Sequence, residues 1–105
     1  MITRMWHGWT TPENAPVYEK LLNDEIFPSI EQEAGTTLKT ITLLRQDKNE
    51  ETEFIVMMRF TNLEAVKTFA GEDYRQAWIP ENARKILLRY DHFAEHFDVR
   101  RELVY

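Results

Sequence analysis

The chain has 105 residues, 43% of them hydrophobic and 30% charged, with a formal net charge of −5 and no cysteine. That length closes one modest core, so a single domain over residues 1–105 is expected. The acidic balance excludes a phosphate-backbone partner, since the densest basic spot, Arg100-Arg101, is followed at once by Glu102. The absence of cysteine excludes disulfides and thiolate chemistry.

No apolar run approaches the ~20 residues that span a bilayer, so no membrane partner is expected. The start, Met1-Ile-Thr-Arg-Met-Trp-His, lacks the charged region and apolar core of a signal peptide, which makes cytoplasmic residence the expectation.

In chain order, Ile2 to Trp9 reads as a first strand. Ile2, Arg4, Trp6 and Gly8 share one face, and Thr3, Met5, His7 and Trp9 share the other. Thr10-Thr11-Pro12-Glu13 is a helix start signal. Tyr18, Leu21, Leu22, Ile26 and Ile30 then recur at helical spacing and give one apolar stripe. Pro28 falls inside that pattern and predicts a kink or break, and Gly35 predicts the stop.

Leu38 to Leu44 is the second strand. The polar turn Asp47-Lys48-Asn49-Glu50-Glu51 joins it to a third strand beginning near Glu53, as an antiparallel hairpin. Asn62 caps a second helix with the stripe Leu63, Val66, Phe69 and Ala70. A short helical continuation is expected at Tyr74 to Trp78, after Gly71-Glu72-Asp73. A helical turn at Glu81 to Lys85 follows; Ile86-Leu87-Leu88 fits helix or strand; Phe93 to Val99 reads as the closing strand.

The resulting order is strand, helix, strand, strand, helix, strand. This is an α+β, ferredoxin-like βαββαβ domain with an antiparallel sheet and both helices on one face. The third strand is apolar on both sides. Phe54, Val56, Met58 and Phe60 alternate with Ile55 and Met57. The helices cover only one face, so the other needs a cover, and the simplest is a second copy of the chain. Two sheets packed face to face would then form a dimeric α/β barrel, with a homodimer contact through the open sheet face.

Several side chains are candidates for chemistry. His7, between Trp6 and Trp9, has the titration range of a general base, and equally that of a histidine satisfied by a backbone carbonyl. Arg4, a charge inside an apolar strand, fits an anion partner or an ion pair; Arg59, at a strand end, fits an ion pair better. Trp6, Trp9, Tyr74 and Trp78 fit either an aromatic pocket or a dimer core. His92 and His96 would share an ion only on a helix. On a strand, four residues span ~13 Å, so no metal site is expected.

Three stretches resemble one family. The opening Met1-Ile-Thr-Arg-Met-Trp-His-Gly-Trp-Thr10 is similar to the dimeric α/β-barrel superfamily, in its antibiotic-biosynthesis-monooxygenase-like branch. So are the junction Phe60-Thr-Asn-Leu-Glu-Ala-Val-Lys-Thr-Phe69 and the closing Glu95-His96-Phe97-Asp98-Val99. The resemblance implies a homodimer with a pocket in each subunit, between the sheet and the second-helix region. Some relatives oxidise aromatic substrates with O2 and no cofactor; others degrade heme. The asparagine, tryptophan and axial histidine of the heme degraders would fall near Trp6 or His7, on Phe69 and on Trp78, so none is matched and no heme is expected.

What the resemblance implies here is cofactor-independent oxidation or rearrangement of a hydrophobic aromatic-type small molecule. His7 would be the base or an orienting donor, Arg4 the anion partner, and Trp6, Tyr74 and Trp78 the pocket walls. The alternative is a non-catalytic, small-ligand-binding or stress-related dimer on the same fold.

Overall fold

The computed structural model describes residues 1–105. Its centre is the strand pair β1 (Ile2–Thr10) and β3 (Thr52–Phe60), joined antiparallel with Arg4 opposite Met58, Trp6 opposite Val56 and Gly8 opposite Phe54. Strand β2 (Leu38–Asp47) flanks β3, across a turn in which Lys48 N–H donates to Glu51 O at 3.0 Å. The other edge of β1 is shared by two short strands, β4 (Arg89–Tyr90) at its end and β5 (Glu95–Asp98) at its start. The order β2-β3-β1-β4/β5, antiparallel throughout, is the ferredoxin-like α+β arrangement expected from the sequence.

Between β1 and β2 one long helical stretch crosses the sheet. It begins later than the Thr10-Pro12 signal suggests. Thr11 first closes a turn, its carbonyl accepting from the N–H groups of Asn14 and Ala15, and α1 then covers Ala15–Leu21. The predicted break at Pro28 takes a particular form. A π turn, Leu22–Ile26, precedes α2 (Phe27–Ala34), with Phe27 N–H reaching back five residues to Leu22 O. The wider turn removes the clash that a proline ring makes with the carbonyl four residues earlier. It also rotates the second half of the helix, so that Phe27, outside the regular stripe, becomes buried. Gly35 ends α2 at φ 62°, where its missing Cβ is needed.

Helix α3 (Leu63–Ala70) begins as predicted, with Asn62 Oδ1 accepting from Ala65 N–H at 2.9 Å. The helical continuation at Tyr74 to Trp78 does not form. Instead the backbone there pairs with the gap between β4 and β5: Ala77 N–H donates to His92 O and Ala94 N–H to Arg75 O, at 2.9 and 2.7 Å. Those bonds make the closing strand shorter than Phe93 to Val99. A single turn, α4 (Glu81–Arg84), follows, and the Ile86-Leu87-Leu88 run is a connection anchored by Leu88 N–H to Trp9 O. No helix is long and apolar enough to cross a membrane.

The core lies between the helices and the inner sheet face, around Tyr18, Leu22, Phe54, Phe60 and Val66. Burial alternates strictly along β3, with the even positions from Thr52 to Phe60 buried and Glu53, Ile55, Met57 and Arg59 half-buried on the open face. Leu44 and Phe97 extend that open face and are exposed.

Candidate functional site

A cavity of about 560 Å³ opens between the inner sheet face, the π turn with α2, and the 76–83 segment. Trp6, Val56 and Met58 form its floor. Leu22, Ile26, Phe27 and Ile30 form one wall, and Phe69, Trp78 and Ile79 the facing side. Three π-turn residues, Leu22, Glu25 and Ile26, line it, so the helix irregularity shapes the cavity directly.

Arg4 is the charge in this apolar space. It is 6% exposed, and its guanidinium donates to the carbonyls of Tyr74 and Gln76, the latter at 3.2 Å. Its third contact is His96 Nε2 at 2.9 Å. No carboxylate pairs with it, unlike Arg45, Arg59 and Arg89, each of which has a glutamate or aspartate. Burial lowers the Arg4 pKa from its ordinary value. The same enclosure, with Arg4 and Arg75 nearby, drives His96 down to about 4. His96 is therefore neutral at pH 7, with Nε2 accepting the bond from Arg4.

The bends of the chain produce this arrangement. Gly71, at φ 93°, releases the chain from α3, and the 74–77 backbone then lies along 92–94. That placement turns the Tyr74 and Gln76 carbonyls toward Arg4. Trp6 is held equally firmly. Its indole Nε1–H donates to Asp91 O at 2.7 Å, and its ring lies over Gly8, where an added Cβ would come within 2.6 Å of Trp6 Cη2.

Of the sequence-nominated residues, Arg4, Trp6 and Trp78 meet at the cavity, with Trp78 80% exposed at its mouth. Tyr74 does not line it. Its ring packs edge-on against His96, 5.1 Å between centroids, and only its backbone carbonyl serves the site. His7 does not line this cavity; it lies on the open face, because odd positions of β1 point away from the helices. There its Nδ1 is 3.2 Å from Glu53 Oε2 and its ring stacks on Trp9. The bond to His7, then Lys48, holds the Glu53 pKa below its ordinary value. Arg59 forms the expected ion pair, with Glu102. His92 packs on Tyr90 and His96 on Tyr74, so the two histidines have separate surroundings.

Sequence reasoning missed His96 as the partner of Arg4, and Glu25 and Glu33 as the acidic groups along the cavity. The register signal was available for His96: an even position on the closing strand faces the even positions of β1.

No protein-family model matches the sequence, and no curated protein matches it. Among solved structures, the chain is similar to a candidate antibiotic biosynthesis monooxygenase from Bacillus cereus. The TM-score is 0.65 at 12% identity, over 99% of this chain and 97% of that one. At that identity the likeness is one of fold, and it extends end to end.

Proposed function

We propose that the chain is a cofactor-independent monooxygenase acting on a hydrophobic, aromatic small molecule that carries an acidic oxygen. The observation that carries this reading is Arg4, a buried cation without a carboxylate at an otherwise largely apolar cavity. A phenolate or enolate beside it would supply the missing negative charge, and the cation would ease loss of the substrate proton. The proton leaves toward Glu25 and Glu33, which line the same cavity. Such an anion is electron-rich enough to reduce O2 itself. A CH2 flanked by aromatic rings and O2 become a carbonyl and water, so the substrate supplies all the electrons.

Oxygen uptake with polyphenolic and quinol substrates tests it. Arg4→Met should lower uptake at least tenfold, Trp78→Ala should raise KM, and His7→Ala should leave both unchanged. Wild-type protein that consumes no oxygen, or uptake indifferent to Arg4→Met and Trp78→Ala, would sink the reading. The second reading is a binding protein without turnover, favoured by the absence of any histidine from the cavity wall. Saturable ligand binding without oxygen uptake would select it.

We also propose that a second copy covers the open face, where Met5, Ile55, Met57, Leu44 and Phe97 lie side by side. Sedimentation should then give twice the chain mass at micromolar concentration, and Met57→Lys should restore the single-chain mass. A wild-type mass of one chain would exclude the pairing.

A further inference from the structure

Tyr18 belongs to the buried stripe of α1. It is 2% exposed, and its ring packs edge-on against Phe54, 5.0 Å between centroids at 76°. Its hydroxyl makes no hydrogen bond with the protein, although a buried phenol ordinarily finds a partner. Nor is that oxygen sealed in: the fully enclosed polar side-chain atom without a partner is Arg59 Nε. Tyr18 lines the cavity from the helix side, while Arg4 lines it from the sheet. Burial is the sole influence on its acidity and raises its pKa well above the ordinary tyrosine value, so it stays a neutral donor.

We propose that the Tyr18 hydroxyl is a second ligand-recognition point. With Arg4, it would select planar aromatics bearing an acidic oxygen at one end and a neutral carbonyl or hydroxyl oxygen at the other. The inference rests on the reading of Arg4 as an anion partner and adds the far end of the ligand. The two groups stand apart along the sheet, which suits a fused-ring molecule. Tyr18 packs on Phe54, whereas Arg4 pairs with Met58, four positions further along β3, a backbone separation of roughly 13 Å. Between the two points the walls are apolar side chains, among them Trp6, Val56 and Leu22. A ring system fills that stretch, and each end then meets one polar group. An oxygen placed at Tyr18 would also satisfy a hydroxyl that the fold leaves unpaired, so the interaction costs little reorganisation.

The test uses a ligand pair differing by one distal oxygen, 2-naphthoate and 6-hydroxy-2-naphthoate, titrated against tryptophan fluorescence. Wild-type protein should bind the hydroxylated acid about fivefold to tenfold more tightly, the range of one neutral hydrogen bond. Tyr18→Phe, which keeps the ring against Phe54 and should match wild type in circular dichroism, should abolish that preference while leaving 2-naphthoate affinity unchanged. Arg4→Met should weaken both acids alike. A preference that survives Tyr18→Phe, or two acids that bind equally well to wild type yet both depend on Arg4, would overturn the role of Tyr18 alone. Acids that fail to bind, or that bind regardless of Arg4→Met, would overturn the anion reading and this proposal with it.

Discussion

The two faces of β1 handle charge in opposite ways. On the open face His7 pairs with Glu53, Glu53 also holds Lys48, and Arg89 lies 3.8 Å over the Trp9 ring while pairing with Glu51. On the inner face Arg4 has carbonyls and a neutral histidine but no anion. In the single chain water can reach the open face, so its ion pairs are cheap to form and of modest worth. A buried guanidinium has no such solvent, and folding must supply acceptors for it from the backbone. A charge that the fold surrounds with acceptors yet does not neutralise is the feature on which the proposed anionic ligand rests.

The sharpest way to break this contrast is to truncate adjacent residues of β3. Phe54→Ala should cost about 3–5 kcal/mol in urea unfolding, because that ring is completely buried. Ile55→Ala, on the half-buried side, should cost less in dilute protein. If a second copy covers that face, the cost should grow with protein concentration, through mass action. Equal costs at every concentration would show that the faces do not differ.

Gly8→Ala comes next. The added methyl would meet the Trp6 ring and Leu87 Cδ2, at 2.6 and 3.1 Å. A loss of about 1–3 kcal/mol is expected, with a shift in tryptophan fluorescence as the ring leaves the cavity wall. Stability within 0.5 kcal/mol of wild type would mean that the ring is freely displaced.

The smallest effect concerns pH. With its folded pKa near 4, against an ordinary 6.5, His96 resists protonation that the unfolded chain accepts. Stability should therefore hold above pH 6.5, decline as pH falls toward 4, and stop changing on this account below that. His96→Gln, which still offers Arg4 an acceptor, should flatten this part of the stability curve. An unchanged slope in the variant would remove His96 from the account.

Much of the fold was legible because it rests on local rules. The alternation of β3, the Asn62 cap and the charged turn at Lys48 to Glu51 each follow from a few adjacent residues. The site was only partly legible. Arg4 and Trp6 share a face by strand parity, and the same parity puts His7, the candidate base, on the opposite face from Arg4. Tyr74 could not be placed from sequence, because its position depends on the 74–77 backbone filling a gap in a distant strand edge. Phe27 was hidden by the π turn, since a stripe drawn at 3.6 residues per turn runs out of phase after Leu22.

That wide turn has a consequence for how the chain can change. It holds one residue more than a regular helix needs, so deletion of a single codon within Leu22–Ile26 would restore the regular pitch and leave Phe27–Ala34 facing as it does. The same deletion in the regular turns would swing everything after it by roughly 100° about the axis. The change would fall on Leu22, Glu25 and Ile26, the π-turn residues at the cavity wall, while Ile30, Glu33 and the sheet with Arg4 on it kept their places. One wall of the chamber is thus adjustable in a single genetic step, whereas the anchoring strand is fixed on both sides by its neighbours.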